Sequence, residues 1–505
     1  MVNLFRERKA EGALLLFASS LVVATEAFLH PWLIKMIFDE AVSARDMGRL
    51  FQLAAYYLAL GLALNPLSYA VALWERSLQN RILHTLTSDL LSAYYRTDYR
   101  TILAKGEGYF VARVYRDASE WISVIPSIRR MVSSVVVTVV FLGMLFYLSW
   151  QGAVALIAVT PILAYVSRVF GKKIEAVTGS ERDNEGAALE GLNRCLAAFK
   201  MARVGTLGEQ ALGVYKQGVG KFLESVYHNL KLVFGYRTVT SLSMVGADSL
   251  SVVIGAVMVI RGTLSFGGYI AFVNVFWRAV HTVMGVFHPL AELYRAAEIA
   301  DRIQDLLKTT AAPSFAIGDS VVLRDVRFAY NGVPVLRQVD LTLRQGERVL
   351  ILGPNGAGKT TLANILAGYL APDTGDVTLP AKISATTIPI EFPPLKVQDL
   401  PIPTELLKAF GLGGLGDEAS GNLSAGQKQK LAIALTLSQD AELYVFDEPL
   451  SNVDVASTDA IMAMIMDKTK GQTVVAIMHG GEQYHRLFDR VFTLDGGVVV
   501  PLAVH

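Results

Sequence analysis

The chain has 505 residues, more than one hydrophobic core usually organises, so at least two domains are expected and a small binding module is excluded. Hydrophobic residues are 52% and charged residues 18%, with a mean hydropathy of +0.40, too apolar for disorder or for an ordinary soluble enzyme, which places part of the chain in lipid. Charge is near balance, 46 Lys plus Arg against 45 Asp plus Glu, which argues against nucleic acid as a partner, and the single cysteine, Cys195, excludes a disulfide-stapled fold and a cysteine-based zinc site.

The first half carries apolar runs of membrane length, about 20 residues being what a helix needs to cross the hydrocarbon core. Leu50 to Trp74 holds no charged side chain, and Met131 to Ser167 holds none over a stretch long enough for two crossings, with Trp150-Gln151-Gly152 as the expected turn. Six crossings are predicted, near 12–38, 50–74, 131–149, 152–170, 238–260 and 265–288. Two charged stretches, Glu75 to Arg130 and Arg168 to Arg237, carry about ten Lys or Arg each, so the positive-inside rule puts them and both chain ends in the cytoplasm. Arg6, Arg8 and Lys9 agree, and the first run reads as a retained crossing rather than a signal peptide. The expected location is the cell (inner) membrane, multi-pass, in contact with membrane lipid.

After Arg302 a short linker, Thr309-Thr310-Ala311-Ala312-Pro313-Ser314, leads to strand-like runs with turn residues between them. The predicted division is a membrane domain over 1–305, a linker over 306–318 and a soluble α/β domain over 319–505. Arg348 to Leu352 and Leu443 to Phe446 are apolar runs suited to strands buried on both faces. Gly353-Pro354-Asn355-Gly356-Ala357-Gly358-Lys359-Thr360 follows the first of these and opens a helix through Thr361, the order of a phosphate-binding loop. Its glycines let backbone N–H groups face phosphate oxygens, Lys359 supplies charge to the β- and γ-phosphates, and the Thr360 hydroxyl suits Mg2+. The second run ends in Asp447, suited to the Mg2+ shell, and Glu448, suited to polarising an attacking water. A third, Val474 to Met478, ends at His479, which either senses the γ-phosphate or is structural.

In order and spacing these residues resemble the nucleotide-binding domain of ATP-binding cassette (ABC) transporters. Asn422-Leu423-Ser424-Ala425-Gly426-Gln427 is similar to that family's signature, with Ala425 in place of a glycine. The resemblance implies that Ser424, Gly426 and Gln427 cap the γ-phosphate held by the opposite subunit, hence a dimer. It also implies that Tyr330 stacks on adenine, that Ser451-Asn452-Val453-Asp454 is the D-loop, and that His479 is the switch histidine. In the first half, Pro31 to Glu40, Gly108 with Arg113 and Asp117, and Ala296 to Ile303 are similar to stretches of the exporter-type half-transporter, whose coupling helices would fall near 98–107 and 204–212. The fold class is therefore an all-α six-helix membrane domain followed by an α/β P-loop ATPase domain. The resemblance implies ATP and Mg2+ as cofactors and a second half-transporter as partner, a homodimer before a heterodimer.

The sequence departs from that pattern where Ile383 to Pro389 leads into Ile390-Glu391-Phe392-Pro393-Pro394 without the Q-loop glutamine. Neither Glu391 nor Gln398 is carried over, and the short interval from Lys359 to Ser424 points to a trimmed helical subdomain. Gly411 to Gly416 matches G-x-G-x-x-G but lacks a preceding strand, and reads as a helix exit. Glu26 and His30 share a helix face and Asp248 interrupts the fifth crossing, each either a substrate contact or an interhelical pair. Arg278 reads as a snorkelling side chain, and His281 and His288 as interfacial. The function expected is ATP-driven export of a peptide, lipid or other amphipathic molecule, a siderophore-like or cyclic peptide being one candidate, with a catalytically weak subunit of a heterodimer as the alternative.

Overall fold

The structure, a computed structural model, describes residues 9–308 and 315–502, apart from some side chains between 155 and 182 and between 284 and 291. Arg6, Arg8, the Thr309 to Ser314 linker and the His288 side chain lie outside the described residues. The chain forms two compact units, one of residues up to Leu91 with Val111–Leu307, the other of Ser92–Phe110 with the residues from Lys308 onward.

The first half is helical. Its elements are α1 (Lys9–Met36, prolonged by a π-helical turn, Ile37–Val42), α2 (Met47–Tyr94), α3 (Tyr99–Lys105), α4 (Glu107–Val111), α5 (Ala118–Ile122), α6 (Val124–Leu148), α7 (Trp150–Ala197), α8 (Phe199–Ala202), α9 (Leu207–Ile260) and α10 (Phe266–Lys308). Four helical stretches among the described residues are long and apolar enough to cross a membrane: Lys9–Val42, Met47–Tyr94, Glu107–Leu148 and Leu207–Ile260. The other two long helices, α7 and α10, correspond to the fourth and sixth predicted crossings. The charged stretches are not loops. They continue the helices, because nothing between Trp74 and Tyr94 or between Val169 and Ala197 breaks helix geometry.

Two boundaries differ from expectation. The turn predicted at Trp150-Gln151-Gly152 is already helix, and the break is at Ser149, whose extended backbone lets its hydroxyl accept from Gly152 N–H (3.1 Å) as the N-cap of α7. The second coupling segment, expected near 204–212, falls on a turn and the start of α9, and the short helix there is α8. The first, expected near 98–107, is α3, with the Asp98 carboxylate accepting from Arg100 N–H and Gly106 (φ 73°) closing it.

The core of the helical unit centres on Phe141, Leu145, Phe272 and Phe276, all fully buried. The Phe272 ring fits because two neighbours lack side chains. A Cβ on Gly152 of α7 would stand 2.1 Å from the ring, and one on Gly255 of α9 would stand 3.1 Å from it. The three stretches similar to the exporter pattern also find partners here. Asp39 accepts from Ser265 (2.8 Å) and Gly267 N–H (2.9 Å), while buried Asp117 pairs with Arg113 (2.6 Å) and Arg302 (3.4 Å).

The second unit is a ten-stranded sheet with helices. Its strands are β1 (Ala316–Ile317), β2 (Val321–Tyr330), β3 (Val333–Leu343), β4 (Arg348–Leu352), β5 (Thr374–Leu379), β6 (Ile383–Thr386), β7 (Leu443–Asp447), β8 (Thr473–Met478), β9 (Arg490–Asp495) and β10 (Val498–Pro501). Its helices are α11 (Lys359–Leu366), α12 (Thr404–Ala409), α13 (Ala425–Leu437) and α14 (Val455–Lys468). The strand order is β1-β5-β2-β3-β10-β9-β4-β8-β7-β6; β4, β8, β7 and β6 run parallel, with β8 and β7 buried on both faces. In-register pairing of Leu352 with Met478 and of Asp447 with Ile477 brings the carboxyl ends of β4, β8 and β7 to one edge, where parallel sheets bind ligands.

Gly152→Ala is expected to destabilise the protein by about 1–3 kcal/mol, the usual cost of overpacking. A lower unfolding midpoint in detergent, partly restored by Phe272→Leu in the same chain, is the expected result.

Candidate functional site

The loop from Gly353 to Gly358 joins β4 to α11, and its glycines are required by geometry. A Cβ on Gly353 would lie 2.4 Å from the Leu494 carbonyl, and Gly356 (φ 82°) and Gly358 (φ 100°) hold left-handed conformations. They turn the chain so that Lys359, Thr360 and Thr361 begin α11 with free N–H groups at its start. Lys359, almost fully buried, donates to the carbonyls of Gly353 (2.9 Å) and Pro354 (3.3 Å), and its ammonium lies 3.4 Å from Glu448.

Asp447 closes β7 inside the sheet. Both carboxylate oxygens are sealed from solvent, and neither has a hydrogen bond of normal geometry. Burial pushes its pKa up to about 6, against the nearby Thr360 hydroxyl, which pulls it down; the Glu448 charge raises it further, and the Ile388 N–H and Lys359 lower it. A buried carboxylate beside a threonine hydroxyl is an all-oxygen donor pair suited to a hard divalent cation that also binds phosphates. Glu448 follows in a left-handed conformation (φ 48°), a strained backbone for a side chain of that size. The strain is held by Glu448 N–H donating to Ile477 (2.7 Å) and by buried Gln429 of α13, which donates to the carbonyls of Glu448 and Pro449, each at 3.2 Å. His479 Nδ1–H donates to the Gly353 carbonyl (3.3 Å), which turns Nε2 away from that loop carbonyl.

Ser424 is the N-cap of α13 in a reciprocal capping box. Its hydroxyl accepts from Gln427 N–H (3.3 Å), while the Gln427 side chain accepts from Ser424 N–H (2.9 Å). The Ser424 O–H therefore retains its proton for an acceptor outside the helix. Gly426 sits where a Cβ would be 2.6 Å from the Asn452 carbonyl, so signature and D-loop are in contact within the cassette, whereas exposed Ala425 has room for its methyl. Asp454 is bound by Ser457 (2.6 Å) and Lys430 (3.1 Å), which hold its carboxyl below the usual range. Tyr330 ends β2, edge-on to Phe328 with ring centroids 4.8 Å apart.

The missing glutamine is explained by position. The group that faces Asp447 after β6 is Ile388, through its backbone N–H. Exposed Glu391 instead lies 3.9 Å from Lys428 of α13, and Gln398 donates to Asp417 (3.2 Å). Between Thr386 and Ala425 the only α-helix is six-residue α12, and Gly411 to Gly416 follows that helix rather than a strand. Gln429 went unnoticed in the sequence. It stands two residues after Gln427, between Lys428 and Lys430, a polar stretch in which nothing local marks one amide as buried.

In the helical unit a cavity of about 740 Å³ is lined by Glu26, Arg129, Arg130, Phe141, Arg278 and His281 among others. Arg278 does not snorkel outward. Its guanidinium lies over the Phe141 ring at 5.7 Å and 3.6 Å from Glu26, and His281 packs on Trp277. Arg129 pairs with Glu75 (2.8 Å) and Arg130 with Glu292 (2.7 Å), while the Ser133 hydroxyl on the same wall is buried without a hydrogen-bond partner. His30, one turn from Glu26, instead meets the Tyr57 hydroxyl at 2.6 Å, and Asp248 does not line the cavity.

Residues 13–280 match the ABC transporter transmembrane region, and residues 336–402 and 398–451 match the ABC transporter family. The chain is 23% identical to an ATP-dependent lipid A-core flippase of Burkholderia thailandensis, over 97% of this chain and 89% of the relative. It is 24% identical to a protein of the same name from Thiobacillus denitrificans, over 96% and 91%, and 23% identical to the ATP-dependent permease MDL1 of Candida albicans, over 71% and 59%. With a membrane region ahead of a P-loop ATPase domain in one polypeptide, the chain belongs to the ABC transporters, as an ATP-hydrolysing transporter of the exporter-type half-transporter form.

Proposed function

We propose that two copies of this chain, in the inner membrane with their cassettes in the cytoplasm, use ATP to move an amphiphile with an anionic headgroup, lipid or lipid-like, out of the cytoplasmic leaflet. The cavity carries this reading. Its wall holds three guanidiniums, Arg129, Arg130 and Arg278, against two carboxylates, Glu26 and Glu292, with an unpartnered hydroxyl at Ser133 and apolar Val23, Val137 and Phe141 beside them. Arg129 and Arg130 are closely paired, with Glu75 and Glu292, but Arg278 is held only loosely by Glu26, and a loosely paired guanidinium next to an apolar wall suits a headgroup and the start of its chains. The flippases to which the chain is similar are named for a lipid.

In the cassette, the loop N–H groups and Lys359 bind the phosphates, with Thr361 in the same first turn. Asp447 and Thr360 would hold a magnesium ion, which when bound neutralises charge developing on the phosphates. Glu448 accepts a proton from the attacking water, and its strained backbone, fixed by Gln429, aims the carboxylate. His479 Nε2 and the Ser424 hydroxyl, offered with Gly426 and Gln427 by the partner copy, complete the γ-phosphate contacts, while Tyr330 stacks on adenine and Asp454 lies in the D-loop. The intact set of Lys359, Glu448 and His479 favours a homodimer of working sites. Ile388 in the glutamine's place is the one feature that favours the second reading, a weakly active member of a heterodimer.

ATP hydrolysis by the chain alone in lipid nanodiscs tests this directly. Glu448→Gln is expected to lower turnover by about 10²–10⁴-fold with ATP binding retained, and unchanged turnover would remove Glu448 as the base. The buried Asp447 carboxyl takes up a proton in the folded state between about pH 4 and about pH 6 that the unfolded chain does not. Its contribution to stability is therefore lost as pH rises through that window, and above it the carboxylate is a net cost until a cation binds. Asp447→Asn is expected to stabilise the protein by about 1–3 kcal/mol in EDTA at neutral pH, with the advantage shrinking when ATP and magnesium are added. For the cavity, nanodiscs containing phosphatidylglycerol are expected to raise ATPase activity above phosphatidylcholine alone. Arg278→Gln should shift the half-stimulating anionic lipid content about tenfold, and equal stimulation by neutral lipid would sink the headgroup assignment.

A further inference from the structure

The compact unit of the cassette includes residues from another part of the sequence. Ser92–Phe110, inserted between two membrane-length helices, belongs to it. Within that unit Arg100 of α3 donates to Asp373 (2.5 Å) and to the Ala329 carbonyl (3.3 Å), and its guanidinium covers the Phe328 ring at 5.0 Å. Asp373 in turn accepts from Ala329 N–H (2.7 Å). Ala329 thus has both of its backbone polar groups held by one ion pair. The next residue is Tyr330, after which Asn331 (φ 50°) and Gly332 (φ 83°) turn the chain into β3. Phe328, under the guanidinium, is the ring against which Tyr330 packs. Tyr99, beside Arg100, packs on the same apolar cluster as Tyr330 and against Tyr369, and burial raises its hydroxyl pKa.

A strand end beside a two-residue turn is free to fray unless its backbone groups are tied elsewhere. Here Arg100 and Asp373 supply the tie, on the strand end that carries the aromatic ring. The Asp98 cap fixes the Arg100 backbone, so the guanidinium is presented by a stiff first helical turn rather than by a loop. We infer that Arg100 is a positioning residue for nucleotide binding, acting through Asp373 and Ala329 on Tyr330, so that the loop between α2 and α6 sets the affinity of the cassette for ATP. The inference rests on the reading of Tyr330 as the adenine-stacking ring. It requires nothing of the catalytic carboxylates, so its effect falls on affinity rather than on the chemical step.

The test is the ATP dependence of hydrolysis by the full chain in nanodiscs, for Arg100→Met, Asp373→Asn, the double variant and Tyr330→Ala. Both single variants are expected to raise KM for ATP about three- to tenfold while kcat changes less than about twofold, and the double variant should be no worse than the more severe single. Because both side chains are partly exposed, wild-type KM should rise with added salt more steeply than that of Arg100→Met, a difference that a general loosening of the fold would not produce. A raised KM in Tyr330→Ala with an unchanged KM in Arg100→Met would overturn the latch and leave the adenine reading standing. An unchanged KM in Tyr330→Ala would overturn both, and additive effects in the double variant would refute the shared route.

Discussion

A carboxylate buried without a hydrogen bond is an unstable arrangement, and the cassette is built around one. Asp447 stands at the end of β7 with both oxygens sealed, between the first turn of α11 and the strand that ends at His479. No side chain of the sheet neutralises it. The nearest ammonium, Lys359, is committed to the carbonyls of its own loop and to Glu448. The buried carboxylate and the Thr360 hydroxyl beside it are thus a donor pair suited to a hard cation supplied from outside the chain. The surrounding features follow from holding that carboxylate in place: left-handed glycines that bring N–H groups to one point, a parallel sheet whose strand ends coincide, and a strained Glu448 pinned by a buried amide.

The helical unit solves the opposite problem, charges among apolar residues. There the carboxylates and guanidiniums are mostly paired, Asp117 with two arginines, Glu75 with Arg129 and Glu292 with Arg130. Pairing limits the cost of each charge but leaves little attraction for a ligand. Arg278 is the exception in degree, since 3.6 Å to Glu26 is a loose pair and its guanidinium rests on an aromatic face instead. A cation held by an aromatic ring and a distant carboxylate stays available to a third partner. That is why the cavity, rather than the number of charges in the helices, carries the argument about cargo.

The loop before α11, the strand ending in Asp447, and the capped helix α13 were legible because each is a local pattern of residues adjacent in sequence. The turn at Ser149 was misplaced by a residue or more because an N-cap is chosen by which hydroxyl reaches Gly152 N–H, and the more visible Trp-Gln-Gly triplet was read as the turn. Arg278 was misread because one arginine in an apolar run says nothing about which way it points; Phe141 and Glu26, far away in sequence, decide that. Gln429 and the Arg100–Asp373 pair share this difficulty. Their partners lie 19 to 273 residues away, and no periodicity announces a pair at that separation.

The absent Q-loop glutamine and the position of α3 belong to one argument. Beside Asp447, the place after β6 presents the Ile388 N–H, and the segment from there to α13 contains a single short α-helix. A backbone N–H beside a buried carboxylate has no second rotamer in which to report a change. Arg100 differs, as a long, partly exposed side chain whose ion pair can form and break. Such a pair contributes about 1 kcal/mol or less to folding, but tying both backbone polar groups of Ala329, the residue before Tyr330, makes a small energy act on one ring. A weak, reversible bond is what a link between occupancy and movement requires, since a strong one would hold the same strand end in place whether nucleotide is bound or not.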